Sequence, residues 1–208
     1  MHLTVLGATG PTGQQILEQA LKAGQQVTAL VRDPARLPQR DDPHVTAVTG
    51  DATSVDDLTR VMTGSDAVLS ALGGGKDFKS DLASRAVRAL VPAAKAAGVR
   101  RIVMLSGLGA GETKQYAGTV VKLGITLLMK QLFTDKAQAD AELRASGLDW
   151  TLVYPAILAN GPRSGTYTAH EAPARKVSSR ISRADVADFM LQQADSKEWI
   201  GRNVILDA

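Results

Sequence analysis

Short apolar runs alternate with amphipathic segments along the whole chain. The apolar runs predict strands, and segments with apolar residues at helical spacing predict helices. The predicted strands are Leu3–Leu6, Gln26–Val31, Val45–Val48, Ala67–Leu72, Arg101–Leu105, Trp150–Tyr154 and Asn203–Leu206. The predicted helices are Thr12–Ala23, Val55–Met62, Leu82–Ala97, Ala117–Phe133, Lys136–Ala145 and Ala184–Ala194. This alternation is typical of parallel strands joined by crossover helices, so we predict a doubly wound parallel α/β sheet with helices on both faces.

The length of 208 residues and the absence of a linker or repeat favour a single domain over residues 1–208, with a small substrate-side region at its C-terminal end. In a doubly wound sheet, ligands lie outside the carboxyl ends of the strands. Candidate functional residues are therefore expected in the loops that follow the strands.

The first strand runs directly into a loop with three glycines, Gly7, Gly10 and Gly13, before the first helix. Glycines let the backbone turn tightly and approach a pyrophosphate, while free N–H groups at the helix start point at the anion. A glycine-rich turn without a ligand is the alternative, but the strand, turn, helix and second strand together favour a dinucleotide site. The cofactor-binding residues predicted in this loop are Gly7, Thr9, Gly10, Pro11, Thr12 and Gly13.

Arg32 directly follows the second strand, with Asp33 next to it and Arg36 nearby. At this place a carboxylate binds the ribose 2′-hydroxyl of NAD, whereas an arginine pairs with the 2′-phosphate of NADP. Because Arg32 comes first and Arg36 supports it, we predict that NADP(H) is the preferred cofactor. Asp33 leaves NAD(H) open.

The loops after the third and fourth strands add further candidates. Asp51 and Ala52 are expected beside the adenine, where the carboxylate can accept from the amino group; a helix-capping role is the alternative. Ala71, Leu72 and Gly73 open a small-residue loop that lets backbone pass close to the ribose and phosphates.

Ser106 follows the fifth strand, where short-chain reductases usually place a serine that binds the substrate carbonyl. The usual partner is a tyrosine four residues before a lysine on the next helix. Here Leu132 stands four residues before Lys136, and Val120 stands four residues after Tyr116. The chain therefore departs from the pattern of alcohol and ketone reductases.

The chain resembles atypical short-chain dehydrogenase/reductases with an NAD(P)H-binding, NmrA-like domain, and within them the biliverdin-IXβ (flavin) reductase group. The segments that carry the resemblance are Gly7–Gly13, Val31–Asp33, Gly50–Asp51, Ser106, Ser146–Thr151, Tyr154–Pro155, Arg180–Ala187 and Phe189–Leu191. The resemblance implies a Rossmann-type fold. The nicotinamide is expected near Ser106, Tyr154 and Pro155.

A missing Tyr–Lys pair changes the chemistry to expect. A ketone needs a proton from a placed acid, whereas a flavin, quinone or tetrapyrrole spreads the charge, and water can complete protonation. We therefore expect hydride transfer to a flat conjugated small molecule, flavin included, with Ser106 and Lys136 as candidate catalytic residues. Tyr116 and Leu132, with the apolar segment 120–132, are expected to line the acceptor pocket, although packing on the sheet or another subunit is nearly as favoured.

A non-catalytic, NADP-binding redox sensor that acts through a protein partner remains the alternative function. A sugar-nucleotide epimerase or hydroxysteroid dehydrogenase is disfavoured by the missing Tyr–Lys pair. Ser182 and Asp185 have the spacing of a helix N-terminal cap, so we assign them a structural role.

Composition excludes other classes. The 24 Lys and Arg against 21 Asp and Glu give a net charge of +3 without any run of like charges, so no nucleic-acid partner is expected. There is no cysteine, and the three histidines are scattered, so no metal site is expected. The apolar stretch 120–129 is shorter than the roughly 20 residues of a membrane span. A strand starting at Leu3 leaves no room for a signal peptide, and we expect a cytoplasmic monomer or homodimer.

Overall fold

The computed structural model describes residues 1–73, 77, 79–177 and 179–208. Its strands are β1 (His2–Leu6), β2 (Gln26–Val31), β3 (Val45–Thr49), β4 (Ala67–Ser70), β5 (Arg101–Leu105), β6 (Asp149–Pro155), β7 (Ile157–Ala159), β8 (Thr168–His170), β9 (Arg180–Ser182) and β10 (Arg202–Asp207). Its helices are α1 (Pro11–Lys22), α2 (Val55–Met62), α3 (Leu82–Ala96), α4 (Thr119–Leu128), α5 (Lys130–Arg144) and α6 (Arg183–Gln192), with short 3-10 turns at Pro34–Arg36 and Gly111–Gln115.

Eight strands form one sheet in the order β3-β2-β1-β4-β5-β6-β10-β8. Every pair is parallel except β10 with β8. α1 packs with α6, while α3 packs with both α2 and α5, which is the arrangement of helices covering both faces of the sheet. The predicted doubly wound α/β architecture is confirmed.

The sheet changes its winding direction between β1 and β4. The chain moves outward from β1 through β2 to β3, then returns to β4 on the other side of β1. Leu6 pairs with Ser70 at the carboxyl ends of these two strands. The crevice outside such a switch point is where open α/β sheets bind their ligands.

The core sits between the sheet and its helices. Ile102 and Val103, neighbours on β5, are both fully buried although they face opposite sides of the sheet. Arg101 is buried beside them and donates from its guanidinium to the carbonyls of Gln193 and Asp149 and to Thr151 Oγ1. Burial lowers the pKa of Arg101 to about 10. This arginine connects β5 to β6 and to the end of α6, and no carboxylate of the described residues is in hydrogen-bond contact with it.

Two helix ends follow the local sequence. α1 stops at Lys22, and Gly24 then takes a φ of +70°, as a glycine after a helix commonly does. Ser182 caps α6: its Oγ accepts from the backbone N–H of Asp185 at 2.9 Å and donates to the Asp185 carboxylate. The structural assignment of this pair is confirmed.

Other boundaries differ from the predicted ones. β4 ends at Ser70 rather than Leu72, and the predicted helix 117–133 is wrong: α4 ends at Leu128 and α5 begins at Lys130, after Met129 leaves helical geometry. β7, β8 and β9 were not predicted, because three-residue strands carry too little periodicity to detect. Gly74 and Gly75, in the predicted loop after β4, lie outside the described residues.

Candidate cofactor and acceptor site

The three glycines after β1 have different reasons to be glycine. Gly7 has a φ of +79°, and a Cβ on it would come within 2.7 Å of the Ala71 carbonyl oxygen. A Cβ on Gly13 would collide with the Gly7 backbone. These two positions are therefore explained by the packing of the turn against its own chain and the loop after β4.

Gly10 is less constrained than these two. Its φ of −81° suits any residue, and a Cβ there would have one tight contact, with the Gly7 carbonyl oxygen at 3.2 Å, which a shift of a few tenths of an ångström would relieve. It is the N-cap of α1, and no side chain caps that helix start. Pro11 occupies the first turn, where a missing N–H costs nothing. The open space and the free first-turn N–H groups, including that of Thr12, make a cradle that fits a pyrophosphate.

At the end of β2, Arg32 and Arg36 are both exposed, and neither side chain has a hydrogen bond or salt bridge among the described residues. Asp33 is engaged locally: its Oδ1 accepts from the Ala35 N–H at 3.0 Å and caps the 3-10 turn. This bond gives the Asp33 carboxylate a structural role, as the cap of the turn. The guanidinium groups of Arg32 and Arg36 remain available to bind a phosphate.

Asp51 follows β3 and is exposed. Its Oδ1 accepts from the N–H and the hydroxyl of Thr53, at 2.8 and 2.9 Å. The cap of α2 is Ser54, which accepts from the Asp57 N–H, so the helix-capping alternative for Asp51 is wrong. Ala52 is half-buried next to it. The adenine role of Asp51 and Ala52 stays a prediction.

The loop after β4 lies against the glycine loop. The Ala71 N–H donates to the Leu6 carbonyl at 2.9 Å, and the Ala71 carbonyl faces Gly7. Leu72 is half-buried, whereas a Cβ on Gly73 would meet nothing within 4 Å. The loop after β1 and the loop after β4 therefore lie against each other at the switch point, as predicted.

The loop after β5 carries Ser106, and its backbone continues the pairing with β6. Ser106 is buried, and its Oγ donates to Asp140 Oδ2 on α5 at 2.9 Å. Lys136, one turn earlier on α5, lines the same pocket, and burial lowers its pKa. The other pocket residues come from the ends of β4 and β5, from α3 and from α5: Ser70, Leu72, Ala83, Ala86, Val87, Leu90, Met104, Leu105 and Ala139. The structure thus brings the two candidate catalytic residues together in a mainly apolar pocket.

Tyr154 has a different position from the one expected. Its side chain is fully buried, and its hydroxyl donates to Asp140 Oδ2 at 2.9 Å while accepting from Arg144 Nη2 at 2.9 Å. Burial raises its pKa well above the ordinary range. The phenol is therefore a core group rather than a side chain open to a nicotinamide. Pro155, at the end of β6, is buried as well.

Tyr116 and Leu132 are both half-buried. Tyr116 packs against the core beside the bridge between Ala117 and Val177. Along α4, Ile125 is buried, but Leu127 and Leu128 are 69% and 74% exposed. These leucines neither pack on the sheet nor line the pocket of Ser106, so the expected pocket role of the segment 120–132 stays a prediction.

Three charged residues on α5 were missed by the sequence analysis. Asp140 joins Ser106 to Tyr154, and Arg144 holds Tyr154. Asp135 is buried and accepts from the N–H groups of Ala83 and Ser84, at 2.9 and 3.1 Å, so it caps α3 from a neighbouring helix. The signal available in the sequence was the spacing of Lys136, Asp140 and Arg144, which places them on one helix face.

The described part of the chain contains neither a candidate membrane span nor a candidate metal site. No helix there is both long and apolar enough to cross a bilayer. No group of three or more His, Cys, Asp and Glu side chains there has the arrangement of a metal site.

Comparison with known proteins adds the following. A family model described as NAD(P)H-binding matches residues 7–197. An uncharacterized chloroplastic protein of Arabidopsis thaliana is 34% identical over 177 residues, which are 77% of this chain but only 60% of that protein.

Solved structures match over the full chain. An anaerobillin reductase, ChuY of Escherichia coli O157:H7, has a TM-score of 0.85 and 22% identity, covering 100% of this chain and 97% of that one. A short-chain dehydrogenase/reductase of Veillonella parvula, solved in complex with NADP, has a TM-score of 0.84 and 20% identity, covering 100% and 94%. At these identities the likeness establishes a shared fold.

Proposed function

This chain belongs to the NAD(P)H-binding family, and from that premise we propose that it is an NADPH-dependent reductase of a flat conjugated acceptor. The family match and the fold of the structural neighbours confirm the predicted resemblance and the predicted NAD(P)H cofactor. The acceptor class proposed is a flavin, a quinone or a tetrapyrrole. The cytoplasmic location and the oligomeric state stay predictions.

The residues present fit the cofactor. The cradle at Gly10 and the uncapped start of α1 suit the pyrophosphate, and Arg32 with Arg36 suits the 2′-phosphate, which favours NADP(H) over NAD(H). Asp51 would meet the adenine. When bound, the cofactor supplies a hydride.

The residues around Ser106 at the end of β5 carry the proposal for the acceptor. The cavity that they line has a volume of about 20 Å³, room for about one water molecule, so the acceptor ring would lie against this cavity at Ser106 rather than inside it. Ser106, Lys136 and Asp140 are its main polar groups, most of its other lining is alkyl, and none of its lining residues is a tyrosine. Apolar walls with few polar anchors suit a flat aromatic ring. Such a ring needs positioning more than it needs a phenolic acid, because it delocalises the incoming electron pair.

The test is NADPH oxidation with a panel of FMN, riboflavin and a quinone. Turnover with at least one of these acceptors is expected. NADPH binding with no oxidation across the panel would refute the enzyme assignment.

Ser106→Ala should slow quinone or flavin reduction only modestly, by less than about tenfold, because solvent can supply the proton after the hydride has moved. Complete loss of turnover with intact NADPH binding would make Ser106 essential for every acceptor and contradict direct hydride transfer.

A second candidate function is an NADP-binding sensor that acts through a protein partner. The observation in its favour is the exposure of Leu123, Leu127 and Leu128 on α4, at 59%, 69% and 74%. Contiguous exposed apolar side chains mark interaction sites more often than ordinary surface. The acceptor panel distinguishes the two functions, since a sensor binds NADPH without consuming it.

A further inference from the structure

The carboxyl group of Asp140 is buried at the small cavity that Ser106 also lines. Asp140 is only 1% exposed to solvent. Oδ2 accepts from Ser106 Oγ and from the Tyr154 hydroxyl, both at 2.9 Å. Oδ1 is buried and has no hydrogen-bond partner among the described residues. One oxygen of this carboxyl is therefore committed to the serine that lines the pocket, and the other is uncompensated.

These surroundings favour the neutral acid. An ionised carboxylate with an unpaired oxygen in an apolar environment is costly, and burial raises the pKa of Asp140. This effect is opposed by the hydrogen bonds that Asp140 accepts from Ser106 and Tyr154 and by the charges of Lys136 and Arg144 on α5, and burial lowers the pKa of Lys136 itself. From β6 the titratable neighbour is Tyr154.

Among the described residues, no charged side chain lines the other walls of the pocket. α3 contributes alkyl side chains, β4 contributes Ser70, and β5 with its following loop contributes Met104, Leu105 and Ser106. These surroundings thus shift the protonation equilibrium of the carboxyl group towards the neutral acid.

We propose that Asp140 stores the proton that completes the reduction and that the Ser106 hydroxyl passes this proton to the acceptor. The proposal rests on the proposed function. Addition across a double bond needs one hydride and one proton. In the reacting state the proton of the neutral Asp140 lies on Oδ2 and the Ser106 hydroxyl hydrogen is turned to the acceptor, which reverses the direction of the Ser106–Asp140 hydrogen bond. The Ser106 hydroxyl proton then moves to the acceptor atom that receives the π electrons, and Ser106 Oγ takes the proton from Asp140 Oδ2. Asp140 is left as a carboxylate beside Lys136 and Arg144 and regains a proton from solvent.

This relay determines which acceptors need Asp140. A quinone or an oxidised flavin can hold the added electron pair as a stabilised anion until water protonates it. An azo bond cannot, because the charge would rest on one nitrogen atom. The pair therefore extends the reductase to conjugated acceptors with N=N bonds, where protonation accompanies hydride arrival.

The experiment compares Asp140→Asn and Ser106→Ala on a quinone and on an azo dye, with NADPH. Each variant should lower kcat for the dye by about 100-fold, as expected for loss of a general acid, while kcat for the quinone falls by less than about tenfold. The double variant should be no worse than either single one, because both lie on one proton path. Glu142→Gln is the matched control: it makes the same chemical change on α5, at a carboxylate that pairs with Arg88.

The dye turnover of the parent should also fall as the pH rises through the pKa of Asp140, and this dependence should vanish in Asp140→Asn. Equal losses with dye and quinone in both variants would overturn the relay and leave Asp140 a purely structural residue. Absence of parent turnover with every acceptor would instead refute the proposed function.

A measurement without cofactor or acceptor tests the stored proton directly. The folded pKa of Asp140 is raised above about 4, the value in an unfolded chain, so its stabilising effect is complete below that pH and is lost as the pH rises through the folded pKa. The unfolding free energy of the parent minus that of Asp140→Asn should therefore decrease with rising pH. A difference that stays constant or increases would show an ionised Asp140 and overturn the proposal.

Discussion

Replacing Gly10 by valine distinguishes two explanations for a glycine at this position: that the turn cannot fold with a side chain there, or that the cofactor phosphate needs the space. A valine side chain at this N-cap would occupy the open space in front of the first turn of α1, where only the Gly7 carbonyl oxygen lies near a Cβ, at 3.2 Å. A phosphate displaced from that turn loses hydrogen bonds to backbone N–H groups. Charge-assisted bonds of this kind are worth about 1.5–3 kcal/mol each, so the loss of two costs about 3–6 kcal/mol. NADPH affinity should fall by at least about 100-fold.

The stability of Gly10→Val should fall less than that of Gly13→Ala, because its Cβ would lie 3.2 Å from the Gly7 carbonyl oxygen, whereas a Cβ on Gly13 would collide with the same atom. Valine is a poorer N-cap than glycine by about 1 kcal/mol, and the gain from a less flexible unfolded chain offsets part of that cost. Gly13→Ala should behave differently, because its Cβ would strike the Gly7 backbone and destabilise the turn itself. Gly161→Val is the matched control, since a Cβ there meets only Ser182 Cβ, at 3.7 Å.

The assay is a calorimetric titration with NADPH, paired with urea unfolding of the same samples. A folded Gly10→Val protein that binds NADPH within about threefold of the parent would refute the reasoning, since that ratio is less than about 1 kcal/mol. In that case the dinucleotide would not lie on the first turn of α1.

Other substitutions test the remaining parts of the argument. Arg32→Glu should reverse the preference for NADP(H) over NAD(H) by placing a carboxylate against the 2′-phosphate; equal affinities in the parent, measured by calorimetry, would contradict the assignment. Asp135→Ala should lower the unfolding free energy by about 2 kcal/mol, because two backbone N–H groups at the start of α3 lose their acceptor; an unchanged urea midpoint would exclude this cap. Arg101→Met should cost about 3 kcal/mol in the same measurement, because buried carbonyls of Gln193 and Asp149 lose their donor; a loss below about 1 kcal/mol would mean that water replaces the guanidinium.

Local pattern was sufficient for much of the molecule. The runs of apolar residues in β1, β2 and β5 and the periodic helices α1 and α2 are signals carried by consecutive residues, and they appear in the structure nearly as predicted. The loop Gly7–Gly13 was also recognisable, because the order of strand, turn and helix depends on neighbours in the chain. The absence of a tyrosine four residues before Lys136 can be read from the printed sequence.

Tertiary structure decided what depends on distant residues. Nothing local to Asp140 indicates that Ser106 and Tyr154, 34 and 14 residues away, share one of its oxygens. Tyr154 was expected beside the nicotinamide because sequence places it at a strand end, but only the packing of α5 on β6 turns its hydroxyl inward. Gly7, Gly10 and Gly13 likewise tolerate a side chain to different degrees, and these differences depend on which atoms of the turn and of the loop after β4 lie near each glycine. The local sequence determines which helices and strands form. The chemistry of this pocket arises from side chains of β5, β6 and α5 that meet only when α5 packs on the sheet.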